Sequence, residues 1–437
     1  MMKTTKGQAL WKKANELIPM GTQLLSKNAD QFLPGRWPSY FKKAKGIKVW
    51  DLDGNVYLDF TIMGVGSCIL GYADKDVNKA VKNVIDSGNM CTHNRHEEVE
   101  LAKILLEMEN WAGMVRYART GGEAMAIAVR IARAYSGKDI VAFCGYHGWH
   151  DWYLAANLAQ EKNLDGHLLP GLKPLGVPRA LLGTAIPFEY NRPEQLEEIV
   201  KKHDIGVIVM EPIRSYYPEN GFLQKVREIA DTNSAILIFD EITSGFRMRV
   251  GGAYKLFDVI PDIVVYAKAI SNGYPMAAIV GKKEIMEKAT DSFISSTYWT
   301  ERIGPAAAIA TIKKLKEKDV PNHLINLGNK IMDGWKQISD KTGIKIKISG
   351  IPPLPKFAFE YGNSRELMTL FTQEMLEKGF LARDSVYLSY SHKKHHIDRY
   401  LEAVEEVFKK IKKGIDKKNI KKILKVPVAS SGFRRLT

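Results

Sequence analysis

Four short runs constrain the fold of this chain more than any other feature. They are IVAFC (140–144), IGVIVM (205–210), AILIF (235–239) and IVVYA (263–267), rich in β-branched residues and free of polar alternation. A strand with one face in water alternates apolar and polar side chains, so these runs read as strands covered on both faces. The stretches between them, such as PEQLEEIVKKHD and LQKVREIADT, have a helical pattern. That alternation predicts an α/β fold with a parallel, helix-covered sheet. Upstream, IKVWDLDGNVYLDF predicts a hairpin turning at Asp53-Gly54. Its DxDG is not a calcium loop, because an EF-hand places its glycine at the sixth position, not the fourth. Downstream of Pro305, amphipathic helices alternate with the strand-like pieces IKIKI, KFAFE and VYLSY, which predicts a smaller α+β domain.

Composition excludes several classes. With 437 residues, 45% of them hydrophobic, the chain can bury a large core across two or three domains of ~100–200 residues each. Nothing approaches the roughly eighteen consecutive apolar residues of a spanning helix, and the N-terminus has no signal-peptide pattern, so a soluble, cytoplasmic protein is expected. The three cysteines, Cys68, Cys91 and Cys144, are far apart and form no CxxC, so neither a disulfide framework nor a zinc ribbon is expected. The net charge is +15, but the stretch from Phe408 onward holds nine lysines, two arginines and one aspartate, so +10 of it lies there. Phe408, Ile411, Ile415, Ile420, Ile423 and Leu424 recur there at mostly helical spacing. No aromatic residues interleave the lysines as stacking platforms, so a solvated helix docked by its apolar stripe is expected, with neither nucleic acid nor membrane as partner.

In an open parallel sheet, ligands bind beyond the carboxyl ends of the strands. Four polar groups stand there: Gly145-Tyr146-His147-Gly148, Glu211, Asp240-Glu241 and Lys268. Lys268 either snorkels from the strand edge or, when desolvated beside other cations, becomes an amine that forms Schiff bases. Asp240 either caps the next helix or holds a proton on a heterocyclic nitrogen. In ARTGGEAMAIAVRIARAYSG, Thr120 and Glu123 form a capping box for a helix that runs to Ser136-Gly137. Gly121 and Gly122 then occupy the first turn, where unpaired amides leave room for an anion, or where they are simply an ordinary helix start. No GxGxxG is present, so a dinucleotide fingerprint is not supported. His147, His150 and Asp151, and separately His392, His395 and His396, lack the spacing of a known metal site, and a polar lining or surface role is expected of them.

A Schiff-base lysine, an aspartate for a ring nitrogen and a glycine-opened helix for a phosphate together ask for pyridoxal phosphate. The sequence here resembles the class III, fold-type I aminotransferases, and within them the glutamate-1-semialdehyde aminomutase-like group. The resemblance extends from GIKVWDLDGNVYLDF through TGGEA, GYHGWHD, MEP, FDEITSGFR, AKAISNG and TERIGP to LSYSHKKHHIDRYLEAVEEV. It implies a seven-stranded, mainly parallel sheet in a large domain (61–305), with a small domain formed by both chain ends (1–60 and 306–437). It implies that Lys268 carries the cofactor and moves the substrate proton, that Asp240 binds the pyridinium nitrogen, that Ile242 packs beneath the ring and that Tyr146 stacks above it. Gly121 and Gly122 would hold the phosphate, and Glu211 would lie near the ring substituents or serve as a strand end. Thr300, with Thr297 as the alternative, would reach the phosphate of a neighbouring subunit, which implies a homodimer with shared active sites. The implied substrates are a small-molecule amino donor, glutamate by analogy, and a carbonyl acceptor.

The sequence departs from the group in several places. TGGEA replaces SGTEA, the glycine-rich run after the lysine is replaced by SNGYPMAAIVG, and Tyr298-Trp299 and Glu301-Arg302 are unlike the aminomutase. GYHGWHDW, STYWTERIGP and the C-terminal PVASSGFRRL look more like aminomutase-type relatives found with surface-polysaccharide genes, including the enzyme that aminates an eight-carbon octulosonate sugar. A transaminase of that kind is therefore expected, with the aminomutase as the alternative and an inactive relative binding polyanions through its basic tail as the non-enzymatic one. Arg36, Arg214 and Arg302 are the candidates for a substrate carboxylate.

Overall fold

The computed structural model describes residues 5–167, 171–213 and 215–430, so Arg214 and the terminal SGFRRLT lie outside the described residues. The described residues divide into two units, one holding 5–74 and 320–430, the other lying within Lys75–Asp319. Both junctions lie downstream of the expected 60/61 and 305/306. At the first, the turns that follow the strand Val56–Phe60 stay with the N-terminal strands through a bridge between Gly46 and Tyr72. At the second, Pro305 does not break the chain but sits in the first turn of the helix Ile303–Glu317. A proline there lacks an N–H that would have no intrahelical partner anyway.

The smaller unit begins with β1 (Phe41–Lys45), β2 (Lys48–Asp51) and β3 (Val56–Phe60). The larger unit contributes β4 (Met114–Ala118), β5 (Ile140–Cys144), β6 (Ala185–Pro187), β7 (Ile205–Met210), β8 (Ile236–Asp240), β9 (Ile263–Tyr266) and β10 (Ala277–Gly281). The chain then returns to the smaller unit with β11 (Ile346–Ser349), β12 (Lys356–Phe359) and β13 (Phe380–Ala382).

The large unit is one seven-stranded sheet in the order β4-β10-β9-β8-β7-β5-β6, parallel except for β10, which runs antiparallel to both its neighbours. Every residue of β7, β8 and β9 is buried, as runs without polar alternation require. The helix Gly121–Ser136 lies over the sheet and buries Met125, Ala128, Ile131 and Ala132 in the same core as Phe143, Val209 and Ile238. Each large apolar side chain buried in this way contributes about 1.5–3 kcal/mol.

In the smaller unit, β2 and β3 form the expected hairpin, and the sheet runs β1-β2-β3-β13. The helix Lys394–Asp416 buries Tyr400, Val404, Phe408 and Ile411 and leaves most of its lysines exposed, several in ion pairs such as Lys409 with Glu405 and Lys410 with Glu374. The basic tail is thus docked by its apolar stripe. Among the described residues, no helix is long and apolar enough to cross a membrane.

His392 is fully buried in this unit, not part of a polar lining or surface. Its Nδ1 accepts from the Ser389 amide at 3.0 Å and its Nε2 donates to the Asp59 carbonyl at 3.0 Å, an arrangement only the neutral ring satisfies. Burial pushes its pKa down to about 4, so the folded state binds fewer protons than the unfolded one across the interval between ~6.5 and about 4. Stability from this group is complete above the unfolded value and is lost as pH falls toward the folded one, about 3 kcal/mol in all. The stability difference between wild type and His392→Asn is therefore expected to shrink by about that amount between pH ~7 and pH ~4, read from urea unfolding. A pH-independent difference would refute this.

Candidate active site

The carboxyl ends of β4, β5, β7, β8 and β9 lie along one edge of the large sheet, and each ends on a residue marked in the sequence. β5 leads into Gly145-Tyr146-His147, β7 into Glu211, β8 ends on Asp240, β9 leads through Ala267 to Lys268, and β4 is followed by Arg119, Thr120 and the glycine pair.

Asp240 is 2% exposed, and both of its oxygens are engaged. Oδ1 accepts from the Ile242 amide at 2.9 Å, and Oδ2 lies 2.8 Å from Nδ1 of His147. His147 is itself 1% exposed, and its Nε2 lies 3.1 Å from the Cys144 carbonyl. A carbonyl can only accept, so Nε2 carries a hydrogen, and Nδ1 shares a proton with the carboxylate. Such contact suits an aspartate that must keep its charge inside the protein. His147, expected as a polar lining or surface group, is instead buried against Asp240. The signal that could have found it is its position one turn beyond β5, on the same edge as Asp240.

The GYHG turn is held from several sides. Gly145 and Gly148 adopt φ of +114° and +106°, a region that disfavours side chains. The Gly145 amide donates to Nδ1 of His167 at 3.1 Å, and Tyr153 Oη donates to its carbonyl at 3.0 Å. The Tyr146 ring meets that of Tyr153 edge-on, with centroids 5.9 Å apart, and packs against the sheet core. Glu211, 8% exposed, accepts from the Tyr146 amide at 3.4 Å.

The capping box of Thr120 and Glu123 is present, and the helix it starts ends on Gly137 in the left-handed region. Among the described residues, the amides of Gly121 and Gly122 donate to no group. Glycine leaves room here for the Ile242 side chain, which a Cβ at Gly121 would approach to 2.9 Å and force to shift. Two open donors at the positive end of a 16-residue helix suit a phosphate.

Lys268 is half-buried at a φ of +47°, an uncommon conformation for a residue with a side chain. Its Nζ donates to Oγ1 of Thr243 at 2.8 Å, three residues beyond Asp240. Thr300 and Thr297 are both exposed, and Thr300 Oγ1 donates to the Thr297 carbonyl at 2.9 Å. Arg302 does not enter this constellation. Its guanidinium grips Glu97 at 2.6 and 3.1 Å, donates to Ser87 Oγ at 2.9 Å, and is 9% exposed, so the expectation that it binds a substrate carboxylate is corrected. Arg36 pairs with Glu377 at 3.4 Å within the smaller unit. Among the described residues, no three His, Cys, Asp or Glu side chains converge as a metal site.

The model of the family "Aminotransferase class-III" matches residues 35–408. The chain belongs to the class-III aminotransferases. It is 33% identical to a 3-aminobutyryl-CoA aminotransferase of Cloacimonas acidaminovorans, with 94% of this chain and 99% of the relative covered. It is 32% identical to a glutamate-1-semialdehyde 2,1-aminomutase of Persephonella marina, covering 86% and 92%. Among solved structures, the FumI protein of Sphingopyxis sp. MTA144 superposes with a TM-score of 0.86 over 99% of this chain and all of the other, at 22% identity, a likeness of fold. This class-III aminotransferase is a fold-type I transaminase, its cofactor is pyridoxal 5'-phosphate, and its substrates are a small-molecule amino donor and acceptor. The residues present fit that group: an engaged buried carboxylate, a lysine at the neighbouring strand end, and a helix start with two unpaired amides.

Proposed function

We propose that the protein moves an amino group from an amino acid, glutamate first, to a separate keto or aldehyde acceptor, working as a cytoplasmic homodimer with shared sites. Bound pyridoxal phosphate supplies a reactive carbonyl and an electron sink. Lys268 would hold the cofactor covalently, and its Nζ would be the base that removes and returns the proton at the substrate carbon bearing nitrogen. Asp240 keeps a negative charge for the ring nitrogen, while His147 and the Ile242 amide fix the orientation of that carboxylate. Ile242 and Tyr146 supply the two apolar faces for the ring. Glu211 would border its substituents, the amides of Gly121 and Gly122 would take the phosphate, and Thr300 would reach the phosphate of the partner.

The observation that carries transfer over internal rearrangement is the connection after Lys268. A short turn, Lys268–Ser271, leads through SNGYP directly into β10, every residue of which is buried. An aminomutase must retain its intermediate through both half-reactions, and the five residues between Ser271 and β10 hold a single glycine, Gly273, in place of a glycine-rich run. A keto- or aldehydo-sugar acid remains the acceptor class suggested by the sequence, now without Arg302 as its anchor. A 3-aminoacyl thioester as donor is the second reading, favoured by the nearly end-to-end match to the Cloacimonas enzyme.

Purified holoenzyme given glutamate and a keto-sugar acid is expected to form 2-oxoglutarate in stoichiometric amount, with no interconversion of glutamate-1-semialdehyde and 5-aminolevulinate. Rapid aminolevulinate synthesis without an added acceptor would overturn the transaminase reading. Turnover confined to a 3-aminobutyryl thioester would establish the second.

A further inference from the structure

We propose that Arg119 is the positioning residue that presents Thr300 to the cofactor phosphate of a second copy of this chain, so that each phosphate cradle is completed by a mount built in the other protomer. The inference rests on the shared-site homodimer proposed above. It adds the device that aims the shared residue.

The geometry is a fork around one residue. Arg119 Nη2 donates to the carbonyl of Trp299 at 2.8 Å and to that of Glu301 at 3.0 Å, the two residues flanking Thr300. Its Nε lies 2.8 Å from the Glu301 carboxylate. With both flanking carbonyls turned inward onto one guanidinium, the residue between them faces outward, and Thr300 is exposed. Its hydroxyl now donates to Thr297 within the same turn and can rotate toward a phosphate oxygen.

The rest of the segment is pinned independently. The Glu301 carboxylate caps the following helix, accepting from the Ile303 amide at 2.6 Å and the Gly304 amide at 2.8 Å. The Arg302 amide donates to Asn89 Oδ1 at 3.0 Å while its side chain holds Glu97. Trp299 packs on the sheet core. Thr300 is thus an outward residue flanked by fastened ones, and Arg119 is what fastens it on both sides. These contacts also explain the ER pair that departs from the aminomutase: its side chains hold the loop. Arg119 directly precedes Thr120, the cap of the helix that offers its amides to the phosphate, but it meets that cap only through its backbone amide, which donates to Glu123 at 3.0 Å, while its Nη2 and Nε serve the loop that is lent.

A planar five-donor fork can bridge two carbonyls and a carboxylate, whereas an ammonium cannot reproduce that geometry. Arg119→Lys should therefore keep the charge and lose the aim. The test uses mixed dimers in which one protomer carries Lys268→Ala, so that the visible absorbance of lysine-linked cofactor reports a single site, and the release of that cofactor is timed against a scavenging apoenzyme. Arg119→Lys placed in the protomer that carries Lys268→Ala is expected to speed release from the intact site about tenfold, the scale of one charge-assisted hydrogen bond. Placed in the protomer that retains Lys268, it is expected to leave release from that site unchanged. Equal acceleration in both placements, acceleration only in the second, or none in either would overturn the inference. Thr300→Ala in the Lys268→Ala protomer separates the two levels: no effect there means that the shared-site reading itself fails, while an effect of Thr300→Ala without one of Arg119→Lys refutes the role of Arg119 alone.

Discussion

Lys268→Ala is expected to abolish turnover by several orders of magnitude and to remove the visible absorbance of lysine-linked cofactor, while the thermal midpoint of the apoprotein stays close to wild type. Two functions depend on one amine, covalent attachment at rest and proton movement during reaction, and no neighbouring side chain on the sheet edge duplicates it. Loss of the ammonium removes its hydrogen bond to Thr243 from a half-buried position, where a net bond contributes about 0.5–1.5 kcal/mol. The backbone there is already in the left-handed region, which alanine tolerates no better than lysine, so strain does not distinguish the variants. Spectra and steady-state rates of the two proteins check the expectation. Wild-type-like turnover would sink the assignment of the lysine.

Asp240→Asn is expected to lower kcat by about 10²- to 10³-fold with cofactor still bound and the fold unchanged. The structure makes this substitution unusually clean. An asparagine can turn its Oδ1 to the Ile242 amide and its Nδ2 hydrogens to Nδ1 of His147, whose Nε2 hydrogen stays on the Cys144 carbonyl. The neutral ring of His147 accepts what it formerly shared, so no buried group is orphaned. What disappears is the negative charge that holds a proton on the ring nitrogen and keeps the cofactor an electron sink. Cofactor content, kcat and the thermal midpoint measured on one preparation separate charge from shape. Near-normal rates would mean that the carboxylate only organises the β8 turn.

Legibility followed the range of the interaction. The capping box at Thr120 and Glu123 spans three residues and involves groups that local geometry must bring together, so the helix start was readable, and with it the open amides at Gly121 and Gly122. Asp240, Glu211 and Lys268 were readable for a related reason: an apolar run ends abruptly on a charged residue, and in a parallel sheet those ends share an edge. The hairpin at Asp53-Gly54 and the apolar stripe of the C-terminal helix are likewise periodic, local patterns.

Partnerships across the chain were not readable. His147 and Asp240 are 93 residues apart, and Arg302 and Glu97 are 205 apart. Nothing in the spacing tells a buried ligand of an aspartate from a metal-site histidine, or a locked arginine from one that waits for a carboxylate. Sequence by itself determined the elements, the edge that carries the chemistry and the residue types set there, because burial pattern and capping depend on neighbours a few positions away. Tertiary structure decided which charges are spent on one another, because an ion pair forms only where the packing of β5 against β7, and of the helix His96–Met108 beside Arg302, brings distant side chains within hydrogen-bonding reach.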